Sequence, residues 1–523
     1  MVAHAEVWAQ HRPFMAAPRS TFMCVAATLA TTARRDGRVA AAQFPALRGA
    51  GAQMCRRADG RAARRAGVWP ARIWISKLLT GPVAHAARHG RFRRIRAHPG
   101  APSGPSAVPA AWSGRGNVPS KGENLWRMSP RRCRFRYNTG MIYLDNNATT
   151  RVAPAVLEAM LPYLRDSYGN PSSMHRFGQE ARQAVEHARH QVAALLGCMP
   201  REIVFTSGGT EADNAAIFGA LAAAPKKRNV ITSSVEHSAV REPMAVLRRQ
   251  GYHVEEIPVD RSGALNLRAL KEALAGGEVA LVSVMWANNE TGVIFNIPEI
   301  AAIAHAAGAM MHVDAVQAAG KFPINFSAAP VDFLSASAHK IHGPKGAGAL
   351  AVRRGARWLP CQHGGPQERQ RRGGTENVAA IVGFGAAAEL AREELKNQQA
   401  GASIARLRDA LEQGILARVA DAHVNGAAPR LGNTTNIGFA HLEAEAILLL
   451  LSEADICASA GAACASGSLE PSHVLQAMGV PDAVAHGAIR FSLSNQTTEE
   501  EIAQTLETLP AIIERLRKVL PVG

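Results

Sequence analysis

At 523 residues the chain is longer than one hydrophobic core sustains, and its 47% hydrophobic and 19% charged content is ordinary for a globular protein. The formal charge of +17 suggests a nucleic-acid partner until it is located: residues 1–140 hold 25 of the 59 Lys and Arg against four acids, Glu6, Asp36, Asp59 and Glu123, so residues 141–523 carry a net charge of −4. That distribution speaks against nucleic-acid binding by the body of the chain, and no stretch nears the ~20 apolar residues of a membrane span.

Residues 1–140 show no sustained helical or strand period, are rich in Arg, Ala, Gly and Pro, and contain five of the seven Trp. A targeting peptide, a disordered basic arm and a reading frame extended upstream of Met141 all fit; the segment is expected to be disordered or untranslated. The apolar stretch Phe22–Ala33 between arginines resembles a secretory signal only faintly. The seven cysteines (Cys24, Cys55, Cys133, Cys198, Cys361, Cys457 and Cys464) form no CxxC pair. Their odd number argues against a disulfide framework and for a reducing compartment, so a cytoplasmic location is expected.

From Met141 the texture changes. Glu202–Thr206 (EIVFT) predicts a strand, followed by a Ser-Gly-Gly-Thr turn and a helix over Glu211–Leu221. Val279–Trp286 is almost continuously apolar, the pattern of a strand buried on both faces. Pro298–Ala307 predicts a helix, with Pro at its start and Gly308 just past its end. Met310–Val313 and Val331–Ser335 predict further short strands. This alternation predicts an α/β fold with a mostly parallel sheet covered by helices. Beyond about Ala400 longer helices dominate and predict a second, smaller domain.

Three features carry chemistry. The turn Ser207-Gly208-Gly209-Thr210 runs into a helix, where converging N–H groups favour an anion. It lacks the Lys-Ser/Thr of a nucleotide loop, so it is either a single-phosphate site or merely a tight connection. Asp314, in HVDAVQ, follows a buried strand, where ligands of parallel sheets gather. Its carboxylate either pairs with a protonated pyridine nitrogen or caps a helix. Lys340, in SASAHKIHGPKG, also follows a strand. It is a Schiff-base lysine, or else it or Lys345 binds phosphate, or it is a surface charge. In that order, the three are what a pyridoxal 5'-phosphate (PLP) site requires.

The stretches YLDNNATT (143–150), GNPSS (169–173), FTSGGTEADN (205–214), VEH (235–237), VMWANNETG (284–292), HVDAVQAAGK (312–321), SAHKIHGPKG (337–346), RRGGTEN (371–377), SGSLEPSHV (466–474) and HGAIRFSLS (486–494) resemble the cysteine desulfurases of the NifS/IscS family, most closely the nitrogenase-associated NifS type. The resemblance covers Met141 to about Val519. It implies a fold-type-I PLP-dependent transferase of the aminotransferase class V kind, with a large PLP-binding domain over 155–400 and a small domain from 141–154 and 401–523.

Carried over residue by residue, it implies that Lys340 holds the cofactor covalently and moves the Cα proton of the substrate. His237 stacks on the ring, Asp314 pairs with its nitrogen, Gln317 approaches its phenolic oxygen and Asn289 lies at its edge. Gly209, Thr210, Ser337 and His339 hold the phosphate, joined by Thr375 from the partner subunit of a homodimer. Arg490, helped by Asn170, grips the carboxylate of L-cysteine, as suits a guanidinium with two parallel donors. Cys464, in the small-residue run CASAGAACASGSLEPS, receives the sulfur as a persulfide and passes it to an iron–sulfur scaffold protein of the NifU kind. Cys457 follows the apolar Ile456 and reads as a strand cysteine. No metal site is expected beyond the family option of an iron–sulfur cluster at Cys464.

The chain departs from the family at Ala460, Ala462 and Ala465, where hydroxyl residues are usual, at Pro366, and at Gln370, where Gly is common. Two other readings remain: a further enzyme on this fold, such as a selenocysteine lyase or an aminotransferase, the latter not needing Cys464, and a basic nucleic-acid-binding protein, disfavoured by the charge distribution.

Overall fold

A computed structural model describes residues 140–427, 429–461 and 470–519. The basic segment before Gly140 and the loop holding Ala462, Cys464 and Ala465 lie outside the described residues.

The chain opens with β1 (Ile142–Tyr143), α1 (Pro154–Arg165) and α2 (Arg176–Leu196), then builds a sheet from β2 (Ile203–Thr206), β3 (Asn229–Ser233), β4 (His253–Ile257), β5 (Val279–Met285), β6 (Met310–Asp314), β7 (Phe333–Ser337) and β8 (Gly348–Val352). Between them lie α3 (Gly209–Ala222), α4 (Ser238–Arg249), α5 (Leu267–Ala275) and α6 (Ile297–Ala306). The strand order is β2-β8-β7-β6-β5-β3-β4, and only β8 runs against its neighbours. All seven residues of β5 are buried, as its unbroken apolar run predicts for a central strand of a parallel sheet.

Most boundaries lie within one residue of the sequence reading, and two elements are displaced by two. The helix after the Ser-Gly-Gly-Thr turn starts at Gly209, two residues earlier than predicted. The strand predicted over Val331–Ser335 is Phe333–Ser337. Ahead of it the Val331 amide donates to Ala329 O in a turn, and Asp332 uses its carboxylate to take the Met311 amide at 2.8 Å. A short apolar run fixes which residues are buried but not where the ladder begins.

After α7 (Val378–Lys396) and α8 (Gln398–Arg418) come β9 (Ala422–Val424), β10 (Thr434–Phe439), α9 (Ala444–Glu453), β11 (Ile456–Cys457), α10 (His473–Ala477), α11 (Asp482–Ala485), β12 (Ala488–Ser492) and α12 (Glu499–Val519). Strands β12-β10-β9 form an antiparallel sheet, and β1 pairs in parallel with β11. A second core gathers Ile142 and Leu144 with Leu411, Ile415, Phe439, Phe491 and Leu509, so the first strand joins the C-terminal elements. Leu431, Val474 and Leu475 nevertheless pack on the core around the seven-stranded sheet. A division into large and small domains near residue 400 is our proposal from these two cores.

Candidate active site

Because six of the seven strands run the same way, the C-terminal ends of β2, β5, β6 and β7 meet at one edge, which is where ligands of such sheets bind. A cavity of about 470 Å³ opens there. It is lined by ten of the thirteen residues expected at the site: Gly209, Thr210, His237, Asn289, Asp314, Gln317, Ser337, His339, Lys340 and Arg490. Asn170 and Thr375 are exposed and do not line it. The Asn170 Oδ1 instead accepts from the Ser172 amide at 2.8 Å, closing a local turn. Cys464 lies outside the described residues.

Lys340 sits in the 3₁₀ turn Ala338–Lys340 directly after β7. Its Nζ donates to Asn147 O at 2.5 Å and Ala148 O at 3.0 Å. Asn147 is fully enclosed and is a junction the sequence reading did not single out. Its carbonyl also accepts from Gln317 Nε2 at 2.9 Å, and its Nδ2 donates to Thr434 Oγ1 at 2.9 Å. The only signal for it is its place inside the YLDNNATT stretch.

Asp314 ends β6, and its Oδ1 accepts from the Val316 amide at 2.9 Å. Burial, followed by repulsion from Asp213, pushes its carboxyl up to about 6. Asp213 on α3 and Glu236 just before α4 are wholly buried beside it, and burial drives them up to about 7 and about 8. Neither Asp213 nor Glu236 was foreseen, since a lone acid inside a helical or loop stretch reads as surface. His312, two residues before Asp314, lies within 3.4 Å of Asp213 Oδ1 and is pushed down to about 4 by burial. It is therefore neutral at physiological pH.

His237 caps α4: its Nδ1 accepts from the Ala239 amide at 3.1 Å, which leaves the proton of the neutral ring on Nε2. Burial lowers its pKa, and the residue lines the cavity. His339, behind the phosphate turn, is lowered to about 4, by burial and then by Lys340.

Arg490 on β12 is 2% exposed. Its guanidinium donates to Asp145 Oδ1 at 2.7 Å and Asn289 O at 3.0 Å, while its Nε has no hydrogen-bond partner. A buried donor without an acceptor is costly, and an anionic ligand in the cavity would supply one.

The cavity fits PLP on three counts. Ser337 Oγ is buried without a partner beside the first turn of α3, whose leading amides have no intrahelical acceptors. At Gly209 a Cβ would stand 2.7 Å from Val316 Cγ2, so glycine suits this close approach of the helix start to the segment after β6. Asp314 is a buried carboxylate whose ionisation a protonated ring nitrogen would favour. A strand-end lysine, a buried strand-end acid and a helix start facing one cavity define the cofactor site of a fold-type-I PLP enzyme.

Comparison with known proteins agrees. The aminotransferase class-V family model matches residues 142–505. Cysteine desulfurase 2 of Trichormus variabilis is 55% identical over 382 residues, 73% of this chain and 95% of the relative. A cysteine desulfurase of Gluconacetobacter diazotrophicus is 52% identical over 383 residues, covering 73% and 95%. Among solved structures, a NifS-like protein superposes with a TM-score of 0.67 at 40% identity, covering 72% of this chain and all of the other. The chain belongs to the aminotransferase class-V family and, within it, to the NifS/IscS-type cysteine desulfurases. Among the described residues no three His, Cys, Asp or Glu side chains cluster to hold a metal ion.

Proposed function

We propose that this PLP-dependent cysteine desulfurase takes the sulfur of L-cysteine onto Cys464 as a persulfide, releases L-alanine, and passes the sulfur to an iron–sulfur scaffold protein of the NifU kind for nitrogenase cluster assembly. The observation that carries the chemistry is the convergence of Lys340, Asp314, His237 and Arg490 on one cavity. A solved structure named SspA in complex with cysteine, 35% identical with a TM-score of 0.60, supports cysteine as the substrate. The scaffold and nitrogenase roles rest on the NifS-like stretches VMWANNETG and HGAIRFSLS.

When bound, PLP supplies an electron sink that makes the Cα–H of an amino acid acidic. Gly209, Thr210, Ser337 and His339 would hold its phosphate, and Asp314 its ring nitrogen. Arg490 offers its unpaired Nε–H to the substrate carboxylate and so orients the amino acid. Lys340 Nζ takes and returns the Cα proton. The Cys464 thiolate attacks the substrate sulfur: an S–S bond forms, the C–S bond breaks, and a proton completes the methyl group of alanine. A homodimer, with Thr375 completing a neighbouring site, and a cytoplasmic setting belong to the same proposal; Thr375 is exposed on the single chain.

The test is incubation with L-cysteine, PLP and a thiol reductant. Sulfide and alanine are expected in equal amounts, with one added sulfur atom on residue 464 by mass spectrometry before reduction. Cys464→Ala should lose sulfide release. If that variant turned over unchanged, the reading would give way to an aminotransferase-type activity.

A further inference from the structure

Lys321 closes the stretch HVDAVQAAGK, and the mechanism above gives it no task. Its Nζ donates to Asn147 Oδ1 at 2.8 Å and to Gln317 Oε1 at 2.6 Å. A lysine ammonium has donors and no acceptor, so both amides must turn their oxygens toward it. The Gln317 Nε2 is thereby directed to Asn147 O at 2.9 Å, the same carbonyl that receives Lys340 Nζ at 2.5 Å. The Asn147 Nδ2 is directed the other way, to Asn289 O at 3.2 Å and Thr434 Oγ1 at 2.9 Å. Lys321 thus sets the flip of Gln317, and shares that of Asn147 with Asn433, whose Nδ2 donates to the same Oδ1 at 3.2 Å.

Its charge has no carboxylate partner among the described residues; both of its acceptors are neutral amides. The charged and titratable groups around the two lysines include His339 on the turn after β7, His342, Arg490 with Asp145, Asp314, His237, and Glu394 on α7, whose carboxylate is taken by Asn495. Burial, then the charges of Lys340 and Arg490, push the Lys321 amine well below the ordinary lysine range.

We propose that Lys321 is a positioning residue for the cofactor lysine: its two bonds orient Gln317 and Asn147, and so hold the Asn147 carbonyl that receives Lys340 Nζ. The inference rests on Lys340 being the cofactor lysine. The amine of Lys340 is the group that captures the cofactor aldehyde, so its placement by Lys321 serves both cofactor uptake and the later proton transfers.

Three variants test this. Lys321→Met removes the donors, while Lys321→Gln and Lys321→Arg keep them. The readouts are the rate of PLP uptake by apoenzyme and the visible absorbance of the bound cofactor without substrate. The Met form should take up cofactor about tenfold more slowly, and the Gln and Arg forms should restore the wild-type rate and spectrum. A wild-type rate in the Met form, or a Gln form as slow as the Met form, would overturn the proposal; Lys321→Ala decides should the Met variant not fold. Failure of the Lys340 assignment shows separately, as visible absorbance surviving in Lys340→Ala.

Discussion

Arg189 and Arg490 are both almost fully enclosed and both bound to a carboxylate, yet their surroundings differ in one respect. The Arg189 guanidinium meets Glu368 with two bonds of 2.7 Å, reaches Ile203 O at 3.2 Å and Glu186 at 3.1 Å, and lies 4.7 Å over the ring of Phe205. Glu368 takes the Phe205 amide as well, at 3.0 Å. Each of its three nitrogens has an acceptor, and the group ties α2 and the start of the sheet to the loop around residue 368. Arg490 has one carboxylate contact, a partly exposed partner in Asp145, and an Nε without an acceptor, on a residue that lines the cavity. It is the cavity position together with the unused donor that makes it a binding group.

The largest effect should come from the tie. Lys340 and Arg490 are untouched in Arg189→Met, but Glu368 is left charged and buried, which costs about 3–5 kcal/mol. Chemical denaturation should show that loss, while the KM for L-cysteine of the folded fraction stays at the wild-type value. A raised KM would mean the two arginines are not separable in this way.

At the other site, Arg490→Lys keeps a cation near Asp145 but loses the fork that a carboxylate needs. Steady-state kinetics should show kcat/KM for L-cysteine reduced by about a hundredfold, roughly 2.7 kcal/mol of transition-state binding. The shift in thermal midpoint should be smaller than that of Arg189→Met. Equal kinetics in the two proteins would remove Arg490 from substrate binding.

The smallest effect belongs to the loop that delivers Glu368. Glu368, Arg369 and Gln370 have φ of 46°, 60° and 65°, three successive residues in the left-handed region. This explains why glycine is common at position 370 in the resembled family. Gln370→Gly should therefore stabilise the protein by about 1 kcal/mol through relief of backbone strain. A denaturation midpoint that falls instead would show that the lost backbone entropy outweighs the strain.

Much of the site was legible because its chemistry is local. Lys340, Asp314 and the Gly209-Thr210 turn each follow a strand, and strand ends are marked by where an apolar run stops. The residues that could not be read are those whose role arises only when distant segments meet. Asn147, 193 positions from Lys340, bonds to it through a backbone carbonyl, a group every residue has. Asp213 and Glu236 look like ordinary acids in sequence and become buried neighbours of Asp314 only because α3 and the turn before α4 converge on β6. The ladder of β7 was misplaced by two residues because burial sets an apolar pattern and hydrogen bonding to β6 sets the ends.

The sequence alone determined the α/β class, the separation of a basic segment from a slightly acidic body, and the lysine, acid and phosphate turn of a PLP site. These depend on residue type, periodicity and short spacing, all of which are one-dimensional. Only the tertiary structure decided that Arg490 lines the cavity with its Nε unpaired, which amides Lys321 orients, and that Asn170 and Thr375 stand outside the single-chain cavity. Those outcomes depend on distances between residues far apart in the chain, and such distances exist only after the two cores have packed.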